Sequence, residues 1–299
     1  MTAAFYSCKG AEIVRKLANI LFGLLFLAGF GILAYPTISD QWNTYRQSKL
    51  ISSYDNAVAE LEPEDFSREW ELARNFNDSL QANNLYGDVF GLADDESIRD
   101  TEYWNVLNIA QDGIMGYLSI PKINIRLAVY HGTSEDVLQT GIGHLGGTKL
   151  PIGGESTHSV VAAHRGLPSA RLFTDADQLE KGDRFYIHIL DEVLAYEVDR
   201  ILPMVDKDDT ETLGEALSIE EGQDYVTLFT CTPYGVNSHR LLVRGTRVPY
   251  SGEEEVTGIT ETMLSAVRNY YMLYLLLGLS VTILIISVMR LMFRRRKKE

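Results

Sequence analysis

The sequence predicts a mostly β external domain, folded as a closed or nearly closed barrel and carried between two membrane-spanning helices. Three observations lead there. Two uncharged apolar stretches with basic flanks bracket the chain. Between them, residues from about 113 to 248 form short β-branched and aromatic runs broken by Gly, Pro, Asn and Asp. The one cysteine between the stretches, Cys231, stands near the end of such a run.

The first stretch covers residues 17–38 (LANILFGLLFLAGFGILAYPTI) and the second begins at Tyr270 and stays uncharged to Met289. Each is long enough to cross ~30 Å of hydrocarbon as a helix. Lys9, Arg15 and Lys16 precede the first; Arg290, Arg294, Arg295, Arg296, Lys297 and Lys298 close or follow the second. Basic flanks stay in the cytoplasm, so both ends are expected inside and the intervening chain outside. The first apolar run exceeds that of a cleaved signal peptide and reads as an uncleaved anchor. The expected division is a cytoplasmic terminus (1–16), a span (17–38), a helical region (39–80), a loop (81–100), the barrel (101–250), a linker (251–269), a second span (270–293) and a basic tail (294–299).

Charge excludes one class of partner. The segment between the spans holds 17 basic and 39 acidic residues, where a nucleic-acid binder needs a basic footprint. The acidic residues read as a solvated face. No metal-ligand cluster is visible, and no cofactor is expected.

Within 39–80, Trp42, Tyr45, Leu50, Tyr54, Ala57, Val58 and Leu61 fall at roughly helical spacing. Glu62-Pro63-Glu64-Asp65 opens a second helix, with Trp70, Leu72, Ala73, Phe76 and Leu80 on its apolar face. Residues 81–100 (QANNLYGDVFGLADDESIRD) are polar and glycine-punctuated, a loop long enough to be functional or disordered. Strands are predicted at Ile114–Ile120, Ile123–Val129, Ser159–Ala163, Arg184–Leu190, Val193–Ile201, Tyr225–Phe229 and Arg240–Val248. Short helices are predicted at Glu135–Thr140 and Asp175–Leu179.

The only other cysteine, Cys8, precedes the first span, so Cys231 has no partner in the external domain. An unpaired external cysteine points to a reactive thiol or an intermolecular bridge. In YVTLFTCTPYG an apolar strand delivers Cys231 to a turn built on Pro233 and Gly235. A thiol attacks as the thiolate, so a cation or base is expected beside it. Two sources are in view. Ser238-His239-Arg240 opens the next strand, with Arg240, Leu242 and Arg244 on one face and His239, Leu241 and Val243 on the other. Period alone leaves open which face meets Cys231. His164, ending the apolar run SVVAAH before a Gly-containing turn, is the other source, one of six histidines.

The blocks VVAAHRGLPSARLF, TLFTCTPYGVNSHRLLVRGTR, IMGYLSIPKI and VYHGT resemble the sortase family, in particular its class C, pilin-polymerising subgroup. The resemblance covers roughly residues 40–250. It implies a sortase-like closed barrel of about eight strands with N-terminal helices, a lid loop and two flanking membrane helices. It implies Cys231, His164 and Arg240 as the catalytic residues, with His239 structural, and assigns Thr230 to substrate binding. His131 is a family landmark without assigned chemistry. It also gives 81–100 a meaning: class C lids carry Asp-Pro-aromatic, here Asp88-Val89-Phe90, with Val where the lid proline stands. By that analogy Asp88 pairs with Arg240 and Phe90 rests over Cys231. The implied enzyme is a thiol transpeptidase at the surface of a Gram-positive cell. It cleaves an LPXTG-like sorting signal through a thioester and joins pilins by a lysine isopeptide bond. Anchoring of surface proteins to cell-wall peptide is the alternative; a non-catalytic tethered scaffold is a distant one.

Overall fold

A computed structural model describes residues 2–80, 88, 90, 101–252, 254, 278, 279, 282 and 283, with side chains from residue 17 onward. The elements are α1 (Thr2–Ala59), α2 (Pro63–Ser79), α3 (Glu102–Asn105), β1 (Ile114–Ile120), β2 (Ile125–His131), α4 (Glu135–Leu138), β3 (Ile142–His144), β4 (Thr157–Ala162), β5 (Arg184–Ile189), β6 (Glu192–Asp206), α5 (Thr210–Ala216), β7 (Asp224–Thr232) and β8 (His239–Val248). The strands close into a barrel in the order β1-β2-β3-β4-β7-β8-β6-β5. Closure removes unpaired strand edges.

Two junctions, β2–β3 and β4–β7, are parallel; the rest are antiparallel. All of β4 is buried, and β7 is buried after Asp224. That explains why both read as apolar runs and not as alternation: parallel strands are covered on both faces. The 15-residue β6 carries register shifts at Val198/Arg200 and Leu202/Val205. Such bulges bend a strand and let it follow the closing barrel. Inside, Phe185 and Tyr196 stack at 5.6 Å. Gly245 of β8 makes room for them, since a Cβ there would sit 2.5 Å from the Phe185 ring.

The apolar helix runs straight into the domain. One helix spans Thr2–Ala59 through Pro36, where two separate segments were expected. Its first part is long and apolar enough to cross a membrane, and Leu17, Ile20, Phe22, Ile32 and Leu33 have no partner on the barrel side. By length and composition it fits an anchor or a signal sequence. Its last part packs on the barrel. Ile51, Tyr54 and Val58 are buried. Tyr54 donates to the Met115 carbonyl at 3.1 Å and accepts from Leu190 N–H at 2.8 Å. Gln47 accepts from Ala128 N–H at 2.9 Å and donates to the Thr140 carbonyl. The helix begun by Pro63 matches its expected start, with Trp70 and Ala73 buried. The expected second span and basic tail lie outside the described residues, apart from helical 278, 279, 282 and 283. Among the described residues there is one candidate span.

Three histidines are structural. His131 bonds to the Gly113 and Val106 carbonyls at 2.9 and 2.8 Å. His144 contacts Tyr103 Oη at 2.8 Å and the Lys149 carbonyl at 2.9 Å. His158 contacts Thr227 Oγ1 at 2.8 Å. Burial holds all three neutral: the pKa of His144 falls to about 3, that of His158 to about 4, and that of His131 is lowered as well. In the unfolded chain each takes a proton near pH ~6.5. Below that pH the unfolded state binds more protons, so stability is lost as pH falls towards about 4. We expect the thermal midpoint, followed by circular dichroism, to drop across that interval; a flat midpoint would contradict this reading.

Candidate active site

Antiparallel register decides which face of β8 meets the thiol. Cys231 lies opposite Arg240, Thr227 opposite Arg244 and Thr232 opposite His239. Directly opposed residues on adjacent strands share a face. Arg244 is engaged elsewhere. It pairs with Asp199 at 2.6 Å and Glu220 at 2.8 Å, and its guanidinium sits 3.9 Å from the Tyr225 ring centroid. His239 contacts Ser238 Oγ at 2.8 Å.

His164 reaches the same place from the parallel neighbour. Ala162 of β4 pairs with Phe229 of β7. The pairing continues beyond the strand: Ala163 N–H donates to the Phe229 carbonyl at 3.2 Å, and Thr230 Oγ1 donates to the Ala163 carbonyl at 2.7 Å. His164 follows directly after Ala163, and its ring reaches the site through Phe90. Thr230 is buried and its hydroxyl is used inside the barrel, where it holds the turn that carries His164.

Asp88 and Phe90 converge on this group. Arg240 Nε donates to Asp88 Oδ1 at 2.6 Å, and Nη2 makes a second, shorter bond to Asp88 Oδ2. Its Nη1 donates to the Asn237 and His239 carbonyls at 2.9 and 2.8 Å. A two-pronged arginine–carboxylate contact is among the stronger hydrogen-bonded pairs. The Phe90 ring stacks on His164 at 5.2 Å and 22°. The Arg240 guanidinium lies 5.3 Å from the Phe90 centroid, and Phe229 lies at 6.0 Å. The ring thus lies against both the imidazole and the guanidinium. Phe90 N–H also makes a long 3.5 Å bond to Asp88 Oδ1.

Cys231 is only 5 % exposed and Arg240 3 %. Burial pushes the Cys231 thiol up to about 11; Asp88 adds to that rise and Arg240 opposes it. Burial therefore favours the neutral thiol in this arrangement. His164 Nε2 is buried without a hydrogen-bond partner among the described residues. Its 3.5 Å approach to the Glu135 carboxylate is an ion-pair distance without hydrogen-bond alignment. Sequence reading missed Glu135, which is placed by the Ser134 N-cap of α4.

Both roots of the loop 81–100 are fastened. Lys149, a buried ammonium, donates short bonds to the Asn77 and Leu80 carbonyls at the end of α2. The Asn77 amide closes on Leu150, accepting from its N–H at 2.7 Å and donating to its carbonyl at 3.3 Å. On the far side Tyr103 of α3 contacts His144, which contacts Lys149. The Phe76 and Tyr103 rings meet at 5.8 Å.

A closed eight-stranded barrel with a strand-end cysteine opposite an arginine is the architecture of a cysteine transpeptidase. Residues 118–248 match the family model for the sortase domain. The chain belongs to the sortase family, with class C sortases among its structural neighbours. It is 45 % identical to sortase C-1 from Streptococcus pneumoniae over 68 % of this chain and 99 % of that one, with a TM-score of 0.60. Sortase C1 from Streptococcus agalactiae is 47 % identical over 68 % of this chain and all of that one, with a TM-score of 0.59. Sortase D of Bacillus subtilis is 32 % identical over 136 residues, 44 % of this chain and 63 % of that protein. The chain thus spans less than two thirds of that curated relative.

Proposed function

We propose that this chain is a pilin-polymerising transpeptidase with Cys231 as nucleophile, His164 as proton carrier and Arg240 as oxyanion donor. The observation that carries the reading is the meeting of β4, β7 and β8 at one barrel end, with the thiol opposite the guanidinium under an aspartate–phenylalanine lid. Similarity to a Streptococcus pneumoniae sortase C with pilin substrate specificity supports the choice of substrate.

The reaction is an exchange of acyl bonds. The Cys231 thiolate attacks the Thr carbonyl of an LPXTG-like signal. The tetrahedral oxyanion is met by the Arg240 guanidinium. The Thr–Gly bond breaks as His164 imidazolium protonates the leaving glycine amine. A lysine amine of the next pilin then attacks the thioester, neutral His164 takes its proton, and the thiolate leaves. The product is an isopeptide bond; no ATP is required, because the thioester retains the energy of the peptide bond.

The closed lid is an inhibited form of this machine. Asp88 occupies Nε and Nη2 of Arg240, donors that an oxyanion needs, and Phe90 covers the imidazole. We expect Asp88→Ala to raise the labelling rate of Cys231 by a small thiol reagent several-fold, because it removes a carboxylate that raises the thiol pKa and frees the cover over the site. Equal rates in the two proteins would remove the lid.

The decisive assay is incubation with purified pilin. Covalent ladders on denaturing gels support polymerisation; a single conjugate to a wall-peptide amine, without ladders, would transfer the reading to surface-protein anchoring.

A further inference from the structure

The loop after His164 joins the active site to the membrane helix. Ser39 Oγ donates to the Ser169 carbonyl at 2.9 Å, and Arg171 N–H donates to the Asp40 carboxylate at 3.0 Å. Ser39 and Asp40 are the first residues beyond the uncharged stretch 17–38. About 20 helical residues fill the hydrocarbon layer, so with that stretch inserted both lie at headgroup level. Residues 169–171 lie there with them.

The other end of the same loop reaches the catalytic strand. Arg165 Nη1 donates to Thr232 Oγ1, the residue after Cys231, at 3.2 Å. Gly166 (φ +85°) carries the Tyr234 ring: a Cβ there would lie 3.2 Å from it. Only two residues lie between Gly166 and Ser169, so the two are at most ~11 Å of chain apart. The β7–β8 turn is therefore close to the membrane end of α1. That turn presents Tyr234 and Val236, 59 % and 69 % exposed. On the helix, Trp42 and Tyr45 are also exposed and in contact with each other at 5.9 Å. Aromatic residues beyond the end of an apolar span are interface anchors. Because α1 is unbroken to Ala59 and packed on β1 and β2, the barrel does not swivel freely on its tether.

We propose that the catalytic end of the barrel faces the bilayer, with Tyr234 and Val236 seated in the headgroup layer of the adjoining leaflet. The occupant of this surface is lipid: the patch is continuous with the inserted helix, and its exposed tip is apolar and aromatic. The proposal rests on α1 being a membrane anchor.

The test uses the full-length chain, Cys8→Ser and Cys231→Ala, in phosphatidylcholine vesicles containing phosphatidylglycerol. A nitroxide is attached through Val236→Cys, or for comparison through Glu221→Cys at the opposite end of β7 or Leu27→Cys in the span. We expect collisions with a water-soluble nickel chelate to be several-fold rarer at 236 than at 221, and rarest at 27. If 236 and 221 are equally open to the chelate while 27 is shielded, the anchor stands, the membrane-facing orientation is wrong, and the exposed pair serves a protein instead. If 27 is as open as 221, the anchor reading falls and the proposal with it.

Discussion

We expect Cys231→Ala to yield a folded protein that forms no acyl adduct with a sorting-signal peptide and no ladders with pilin. The side chain is small and only 5 % exposed, and alanine fits the same space. The barrel should thus survive with an unchanged circular dichroism spectrum. What disappears is the atom that holds the acyl group. Removing a nucleophile from a triad-like site commonly costs on the order of 10⁴–10⁶ in turnover, leaving only binding and oxyanion stabilisation. Intact-protein mass after incubation with peptide reads the result directly. A mass increase equal to the acyl fragment in the alanine variant would place the nucleophile elsewhere.

Arg240→Lys retains a positive charge and is nonetheless expected to lose about 10²–10³ in turnover, the usual cost of one oxyanion donor. The reason is shape. Arg240 uses Nη1 to grip the Asn237 and His239 carbonyls, which fixes the plane in which Nε and Nη2 point outward. A lysine ammonium cannot hold the turn and present a planar pair at once. The same substitution also weakens the hold on Asp88. Thiol labelling should therefore not slow while turnover falls. That separates it from Asp88→Ala, which frees the lid but leaves the oxyanion donor in place. Near-full turnover by the lysine variant would show that charge alone suffices and that the fork has no role.

Much of this was legible in the chain. β1 has the bounds its composition predicted, and β5 and β7 were found to within a few residues, because β-branched runs between Gly and Asp leave few alternatives. β3 was missed: three residues, Ile142–His144, flanked by glycine, carry no period to read. α5 was missed as well, although Asp209 caps it by accepting from Thr212 N–H. The continuity of α1 past residue 38 was hidden because the apolar pattern changes there from all-round to one-sided while the backbone does not. In the site, alternation left Arg240 and Arg244 on one face of β8, and the resemblance chose Arg240; the β7–β8 pairing gives the choice a physical basis. Glu135 and Lys149 lay far from Cys231 in sequence and carried no motif, so only the folded barrel brings the first to His164 and the second to the lid root.

The fastening of both lid roots has a further consequence. With Phe76 against Tyr103 and Lys149 gripping the end of α2, the loop leaves and re-enters the barrel at one place. In the proposed lid, Asp88 is a tethered ligand whose local concentration at Arg240 is in the ~millimolar range whatever the amount of enzyme. Dilution cannot relieve such an inhibitor. A free peptide must outcompete it by mass action.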